Sequence, residues 1–306
     1  MLIKPHGVMF HHFHGQQHPI SQGSLDSDHF EAKLQFLTQN CNLLSPTEFT
    51  EKIINNEIEI RDICLTFDDA LKSQFDIAFP ILQKLKLKAF FFVYSSVFEG
   101  EPDLLEVYRH FRFTKFKNIE EFYQTFDQCF ADEFPDLFKI GKLEFERVGY
   151  LHAWPFYSPS DRWFRYSRDL ILGKEHYQNL MEIMMSTHKF KIEEILDHLW
   201  MSTENICDIY SAGHSIGLHS YSHPTTIHML ETSHQETEYR KNYDHLKSLN
   251  FDVTSMSHPC GVYSSDTLRI LESLNIKIGF RSGHDVDEIN TNLEVPRLDH
   301  TYLPKC

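Results

Sequence analysis

The chain has 306 residues, 41% of them apolar and 14% aromatic, ample for a packed core without disulfide or metal staples, in one large α/β domain or two smaller ones. Its 29 Lys and Arg stand against 44 Asp and Glu, and the net charge of −15 argues against nucleic acid or an anionic membrane as a partner. Six cysteines (Cys41, Cys64, Cys129, Cys207, Cys260, Cys306) show no Cys-x-x-Cys spacing, and no stretch reaches membrane-spanning length. The amino-terminal residues carry no charged segment leading into a long apolar region and a small-residue cleavage site, so a soluble, disulfide-free, cytoplasmic protein is expected.

Gly7-Val8-Met9-Phe10-His11-His12-Phe13-His14 reads as a short strand running into a His-rich turn. A helix is predicted from Ser45, where Ser45-Pro46-Thr47-Glu48 supplies the N-cap, N1 proline and N3 glutamate of a capping box ahead of Phe49, Ile53 and Ile54. The apolar run Ile63-Cys64-Leu65 predicts a buried strand that closes on Thr66-Phe67-Asp68-Asp69 and presents two adjacent carboxylates at its C-terminal end. A helix through Phe79, Ile81, Leu82 and Leu85 follows, then the strongly apolar strand Ala89-Phe90-Phe91-Phe92-Val93.

From 95 to 203 this rhythm breaks into a largely helical insertion, with apolar residues at helical spacing from Ile119 to Phe130 and from Leu180 to Trp200. Its middle, Trp154-Pro155-Phe156-Tyr157-Ser158-Pro159 with Trp163, Phe164 and Tyr166 behind, suits either a lid or sugar-stacking surface, or a hydrophobic mini-core. The mini-core is the expectation, because aromatic rings pack more often than they bind.

Beyond residue 204 strand and helix alternate again. A helix through Ile206 and Ile209 stops at Gly213, Ser215-Ile216-Gly217-Leu218 leads into His219-Ser220-Tyr221-Ser222-His223-Pro224, and a helix covers Tyr239 to Leu249. Val253-Thr254-Ser255-Met256 runs into His258-Pro259-Cys260-Gly261, a helix carries Leu268, Ile270, Leu271 and Leu274, and strands follow at Lys277-Ile278-Gly279-Phe280 and Glu294-Val295-Pro296-Arg297-Leu298-Asp299. Strand–helix units with polar motifs at strand ends predict an α/β fold, a parallel sheet closed or nearly closed into a barrel from residues 1–94 and 204–306, because that rim is where such folds assemble sites.

Two adjacent carboxylates repel, and persist where a cation or a proton relieves them. His219 and His223 are spaced so that both imidazoles reach one ion, and Asp69 would complete three protein ligands with an open position, leaving Asp68 to take a proton from water. Singly, each motif has a bland reading: an Asp-Asp pair as a solvated turn, and a His-x-x-x-His as background in a chain with 20 histidines.

Together, Thr66-Phe67-Asp68-Asp69 and His219-Ser220-Tyr221-Ser222-His223-Pro224 resemble the first two motifs of the polysaccharide deacetylase family, the NodB-homology carbohydrate esterases. The approach Gly213-His214-Ser215-Ile216-Gly217-Leu218-His219 is similar too, and His258-Pro259-Cys260-Gly261-Val262-Tyr263 resembles the third motif. The resemblance implies a distorted (β/α) barrel and metal-dependent removal of an N-acyl group, usually acetyl, from an amino sugar. It implies Asp68 as base, Asp69, His219 and His223 as ligands of Zn²⁺ or a similar ion, and the Cys260 backbone N–H as oxyanion donor.

The sequence departs from the family pattern in three places. Ala70 stands where a glycine is usual, a mild change provided the backbone there avoids positive φ. Ser257 stands where an arginine is common; Pro296-Arg297 resembles the pair carried by a subgroup lacking that arginine, so Arg297 either orients Asp68 or forms a surface ion pair. For the general acid, Leu298-Asp299-His300 approximates the usual Leu-x-His, while Phe10-His11 resembles the Tyr-His of the Pro-Arg subgroup, so His300 and His11 are rivals. His12, His14 and His258 are expected to be peripheral or solvated. A cytoplasmic location favours a nucleotide-linked, lipid-linked or free N-acyl amino sugar over an exported polymer. The competing functions are hydrolysis of a non-sugar amide on the same scaffold and non-catalytic glycan binding.

Overall fold

The computed structural model describes residues 4–152, 157–283 and 289–304. The chain divides into two compact units, residues 1–103 with 196–306, and residues 104–195.

The first unit is built on eight parallel strands: β1 (His6–Phe10), β2 (Asn42–Leu43), β3 (Asp62–Phe67), β4 (Ala89–Val93), β5 (Ser215–Leu218), β6 (Ser255–Ser257), β7 (Ile278–Gly283) and β8 (Val295–Asp299). They run β1-β8-β7-β6-β5-β4-β3, and β1 pairs back with β3, so seven strands close into a barrel while β2 adds to β3 from outside. The closing ladder is long, with His6 opposite Ile63 and Phe10 opposite Phe67. It brings the chain just past β1 beside the chain just past β3, which is how His11 comes to face Asp68 and Asp69.

Side chains alternate between two apolar compartments, as the period of a strand requires. Val8, Phe10, Ile63, Leu65, Phe67, Ala89, Phe91, Ile216 and Leu218 pack outward under the helices. Cys64, Phe90, Phe92, Ile278, Phe280 and Val295 form a second cluster with Phe49 and Ile53 of the helix Pro46–Ile54. That helix begins with the expected capping box, Ser45 and Glu48 each bonding the other's backbone N–H. Two glycines make room in the barrel: a Cβ on Gly7 would lie 3.0 Å from Arg297 Cγ, and one on Gly217 would lie 2.5 Å from Ser255 Oγ.

The second unit is helical. Its main helices are Leu104–Thr114, Ile119–Glu133, Pro135–Val148, Pro159–Tyr166 and Gly173–Thr187. Trp163, Phe164 and Tyr166 are buried in its core, Trp163 against Phe130, Phe138 and Phe145, so these rings form a mini-core as expected. Trp154 and Phe156 lie outside the described residues. The segment Leu180 to Trp200 is not one helix: it stops at Thr187, and Lys189 turns left-handed at φ 49° before short helical turns at Ile192–Glu194 and Leu196–Leu199.

Among the described residues no helix is long and apolar enough to cross a membrane. Cys41, Cys64, Cys129, Cys207 and Cys260 are free thiols, and Cys306 lies outside the described residues.

Candidate metal centre and active site

β3 ends at Phe67, and the chain turns out of the barrel through two consecutive left-handed residues, Asp69 (φ 77°) and Ala70 (φ 52°). The Ala70 departure is therefore not mild: a Cβ in this region costs about 1–2 kcal/mol. Surrounding bonds fix the turn. Asp69 N–H donates to the Phe92 carbonyl at 3.1 Å, Met201 N–H donates to the Ala70 carbonyl at 2.8 Å, and the buried Gln74 amide donates to the carbonyls of Asp68 (2.6 Å) and His11 (2.9 Å). Backbone strain held by its surroundings is common at functional sites, and Ser220 (φ 63°), His223 (φ 54°) and Cys260 (φ 53°) repeat it around the same rim.

His219 follows β5. Its Nδ1–H donates to the Ser257 carbonyl at 2.9 Å, an acceptor only, so neutral His219 turns the bare lone pair of Nε2 toward Asp69 Oδ1, 3.4 Å away. His223 Nε2 lies 3.7 Å from the same oxygen. Asp69 Oδ1 is buried and accepts no hydrogen bond. With both imidazoles neutral, three electron-rich atoms, all within 4.8 Å of one another, face a common point. Two ligands about 2.1 Å from a tetrahedral ion are about 3.4 Å apart, so this donor set fits a Zn²⁺-like dication.

The electrostatics point the same way. Burial would raise the Asp69 pKa, but the surrounding imidazoles in their protonated form, His219 first, then His223 and His11, more than reverse this and hold the carboxyl far below the usual carboxylate range. His223 is pressed the other way: burial opposes its protonation, yet Asp103, whose Oδ2 lies 3.4 Å from Nδ1, together with Asp69 and Asp68 lifts it to about 9. Without an ion His223 is thus an imidazolium at neutral pH, and an incoming dication must displace its proton. Apparent metal affinity should therefore rise about tenfold per pH unit between pH 6 and 8. Calorimetric titration in two buffers of different ionisation enthalpy should read about one proton released per ion at pH 7, and an affinity flat with pH would contradict the assignment.

Asp68 is held apart from this set. Arg297 grips it with two parallel bonds, Nη1 to Oδ1 at 2.7 Å and Nη2 to Oδ2 at 2.8 Å, both side chains being essentially inaccessible to solvent. Arg297 Nη2 also donates to Ser257 Oγ at 2.7 Å. The short serine leaves space for a guanidinium arriving from β8. Burial pushes the Asp68 pKa up, and Arg297, then His219 and His11, outweigh it and keep the carboxyl below its ordinary range.

The rival histidines occupy different places. His11 Nε2 stands 3.7 Å from Asp68 Oδ2 and 3.9 Å from Asp69 Oδ2, on a partly exposed ring. His300 lies parallel to the Phe10 ring, 5.4 Å away, and burial pushes its pKa down to about 4. Neither of its nitrogens comes within ion-pair distance of Asp68 or Asp69. Cys260 sits on the turn Pro259–Gly261 directly after β6, its side chain exposed. His258 is fully buried, not solvated: its Nε2–H donates to the Leu293 carbonyl at 2.9 Å and burial pushes its pKa to about 3. His14 is tied to Ser24 Oγ at 2.8 Å, and the His12 ring stacks on His11.

Three residues that position the histidines went unsingled in the sequence. On the helix Thr232–Ser248, Asn242 is buried; its Oδ1 accepts from His219 N–H at 3.0 Å while its Nδ2 donates to the Val93 carbonyl at 2.9 Å, tying the ends of β4 and β5 together. One turn earlier, Glu238 accepts from the backbone N–H groups of Tyr221 (3.1 Å) and Ser222 (2.8 Å), clamping the loop between the histidines. Asp103 is the third, against His223. The only available sign was the four-residue spacing of Glu238 and Asn242, unremarkable on so polar a helix.

A closed parallel barrel thus carries an Asp-His-His cluster able to hold a metal ion and a buried Asp-Arg pair at its C-terminal rim, where barrels of this kind assemble their sites. The family model described as polysaccharide deacetylase matches residues 55–110 and 177–279, and the chain belongs to that family. No curated protein sequence matches the chain. Among solved structures it is similar to the Streptococcus pyogenes deacetylase PplD, determined in complex with acetate, at 18% identity and a TM-score of 0.59 over 98% of this chain and 93% of that one. It is similar also to IcaB from Ammonifex degensii (15%, TM-score 0.55, 98% and 93%) and to a de-N-acetylase from Aggregatibacter actinomycetemcomitans (10%, TM-score 0.53, 96% and 94%). At these identities the likeness is one of fold.

Proposed function

We propose that this protein is a metal-dependent hydrolase that removes an N-acyl group, in the simplest case acetyl, from an amino sugar or a sugar-containing precursor. The observation that carries the reading is the convergence of Asp69 Oδ1 with the Nε2 atoms of His219 and His223, beside a second carboxylate held by its own arginine. A Zn²⁺ or similar dication, when bound, supplies a Lewis acid for the acyl carbonyl and acidifies water.

The chain's own residues divide the remaining work. Asp68, kept ionised and aligned by Arg297, accepts the proton that the attacking water gives up. Cys260, through its backbone N–H, donates to the oxyanion, a role that does not involve its thiol. His11 returns a proton to the departing nitrogen, because it is the imidazole placed at the carboxylates and partly open to solvent, whereas His300 is buried against the Phe10 ring and out of ion-pair distance of them.

The test is acetate release from a panel of N-acetylated sugars, free, nucleotide-linked and oligomeric, by zinc-loaded protein. Release from at least one is expected, abolished by chelation and restored by added zinc. Release from N-acylated non-sugar amines alone would move the activity to another amide class. Binding of sugars without any release would make the chain a glycan-binding protein.

A further inference from the structure

The helical unit concentrates positive charge at one place. Arg112, on the helix Leu104–Thr114, is half-buried among rings, its guanidinium carbon 5.2 Å from the centroid of Phe164, 5.7 Å from Phe122 and 5.8 Å from Phe113. Arg168 lies over the same Phe164 ring at 5.8 Å. Burial, and beyond it the charges of Arg168 and Arg165, press the Arg112 pKa down, with Tyr177 and Tyr123 opposing.

The charges are unequally answered. Arg165 is paired with Asp161 at 3.0 Å, and Arg168 holds Asp169 through two bonds of 2.6 and 3.0 Å. Among the described residues no carboxylate lies within ion-pair distance of Arg112, and its Nε is buried without an acceptor. The Tyr108 hydroxyl beside Tyr177 is likewise buried and unpaired. In a chain of net charge −15, the Arg112 guanidinium, held against three rings with Arg168 over one of them, is a donor lacking its acceptor. A carboxylate offers two oxygens and occupies one fork. A phosphoryl group offers three in tetrahedral array with up to two charges, enough to engage Arg112 and still reach a second guanidinium at the same ring.

We propose that Arg112, with Arg168 over the same Phe164 ring, forms an oxyanion site that takes a phosphoryl group. The site stands independently of the deacylase chemistry. The phosphoryl group comes either as free inorganic phosphate or as part of a glycosyl phosphate.

Calorimetric titration of the full-length, zinc-loaded chain with inorganic phosphate, N-acetylglucosamine 1-phosphate and uncharged N-acetylglucosamine tests this. Saturable binding of one or both phosphorylated probes is expected, at least tenfold weaker in Arg112→Gln, with uncharged sugar binding unchanged. Tenfold tighter binding of the sugar phosphate identifies a glycosyl phosphate as the ligand, and equal binding identifies phosphate itself. Hydrogen exchange on the wild type supplies a reading that does not depend on the variant's folding: phosphate should slow exchange in residues 104–114 and 159–172. Phosphate binding that is insensitive to Arg112, or protection confined to other segments, overturns the proposal.

Discussion

Replacing Asp68 by asparagine is expected to lower turnover about 10³-fold, within the range of about 10²–10⁴ for loss of a positioned proton acceptor. An amide cannot take the proton of the attacking water, and its NH₂ group faces one Arg297 donor where the carboxylate presented an oxygen. The histidine pair and Asp69 are untouched by the change, so metal stoichiometry should stay at one ion per chain. Acetate release measured beside metal content separates the two effects. Turnover above a tenth of wild type would remove Asp68 from the role of base.

The largest effect on stability is expected at Arg297. Arg297→Met removes a buried cation and leaves the Asp68 carboxylate buried with the Ser257 hydroxyl at 3.4 Å and the imidazoles of His11 and His219 farther off, at 3.7 and 3.9 Å. Breaking a buried pair from one side costs about 3–5 kcal/mol, far more than loss of a surface ion pair. Denaturant unfolding should show a loss of this size. Burial is the largest single influence on the Asp68 carboxyl, and with Arg297 gone less opposes it, so its pKa rises. The residual activity should accordingly need higher pH, its acid limb moving upward. The double variant Asp68→Asn, Arg297→Met should cost less stability than the two single losses added together, because no unpaired charge remains in it. Strict additivity would mean that the two side chains do not depend on one another.

Much of the barrel was legible because its strands are short apolar runs: Ala89–Val93 and Ser215–Leu218 occupy the residues that their patterns mark. The helix Thr232–Ser248 shows only its second half in the sequence, since Thr232-Ser233-His234-Gln235-Glu236-Thr237-Glu238 contains no apolar residue and gives no helical period. The hidden half carries Glu238. The helix Ser27–Asn40 was readable from Phe30, Leu34 and Leu37 behind the N-cap Asp26, yet the interest of the flanking histidines masks it. Asp68, Asp69, His219 and His223 stand out as motifs because their chemistry requires close sequence spacing. Pro296-Arg297 is marked in the sequence only by resemblance: whether Arg297 meets Asp68 or sits in a surface ion pair depends on β8 lying beside β1 and β1 beside β3, a register that no local pattern records. The same holds for the choice between His11 and His300, which turns on the His300 ring being buried against Phe10. The left-handed φ of Ala70 runs against what its side chain prefers, so it too could be learned only from the folded chain.

X-ray absorption at the zinc edge on the loaded wild-type protein, compared with Asp69→Ala, His219→Ala and His223→Ala, tests the central assignment most directly. One tightly held ion per chain is predicted, with two imidazole nitrogens and a carboxylate oxygen at about 2.0–2.2 Å and weakened binding in each variant. An ion retained undiminished by all three variants, or a spectrum without imidazole scattering, would contradict it.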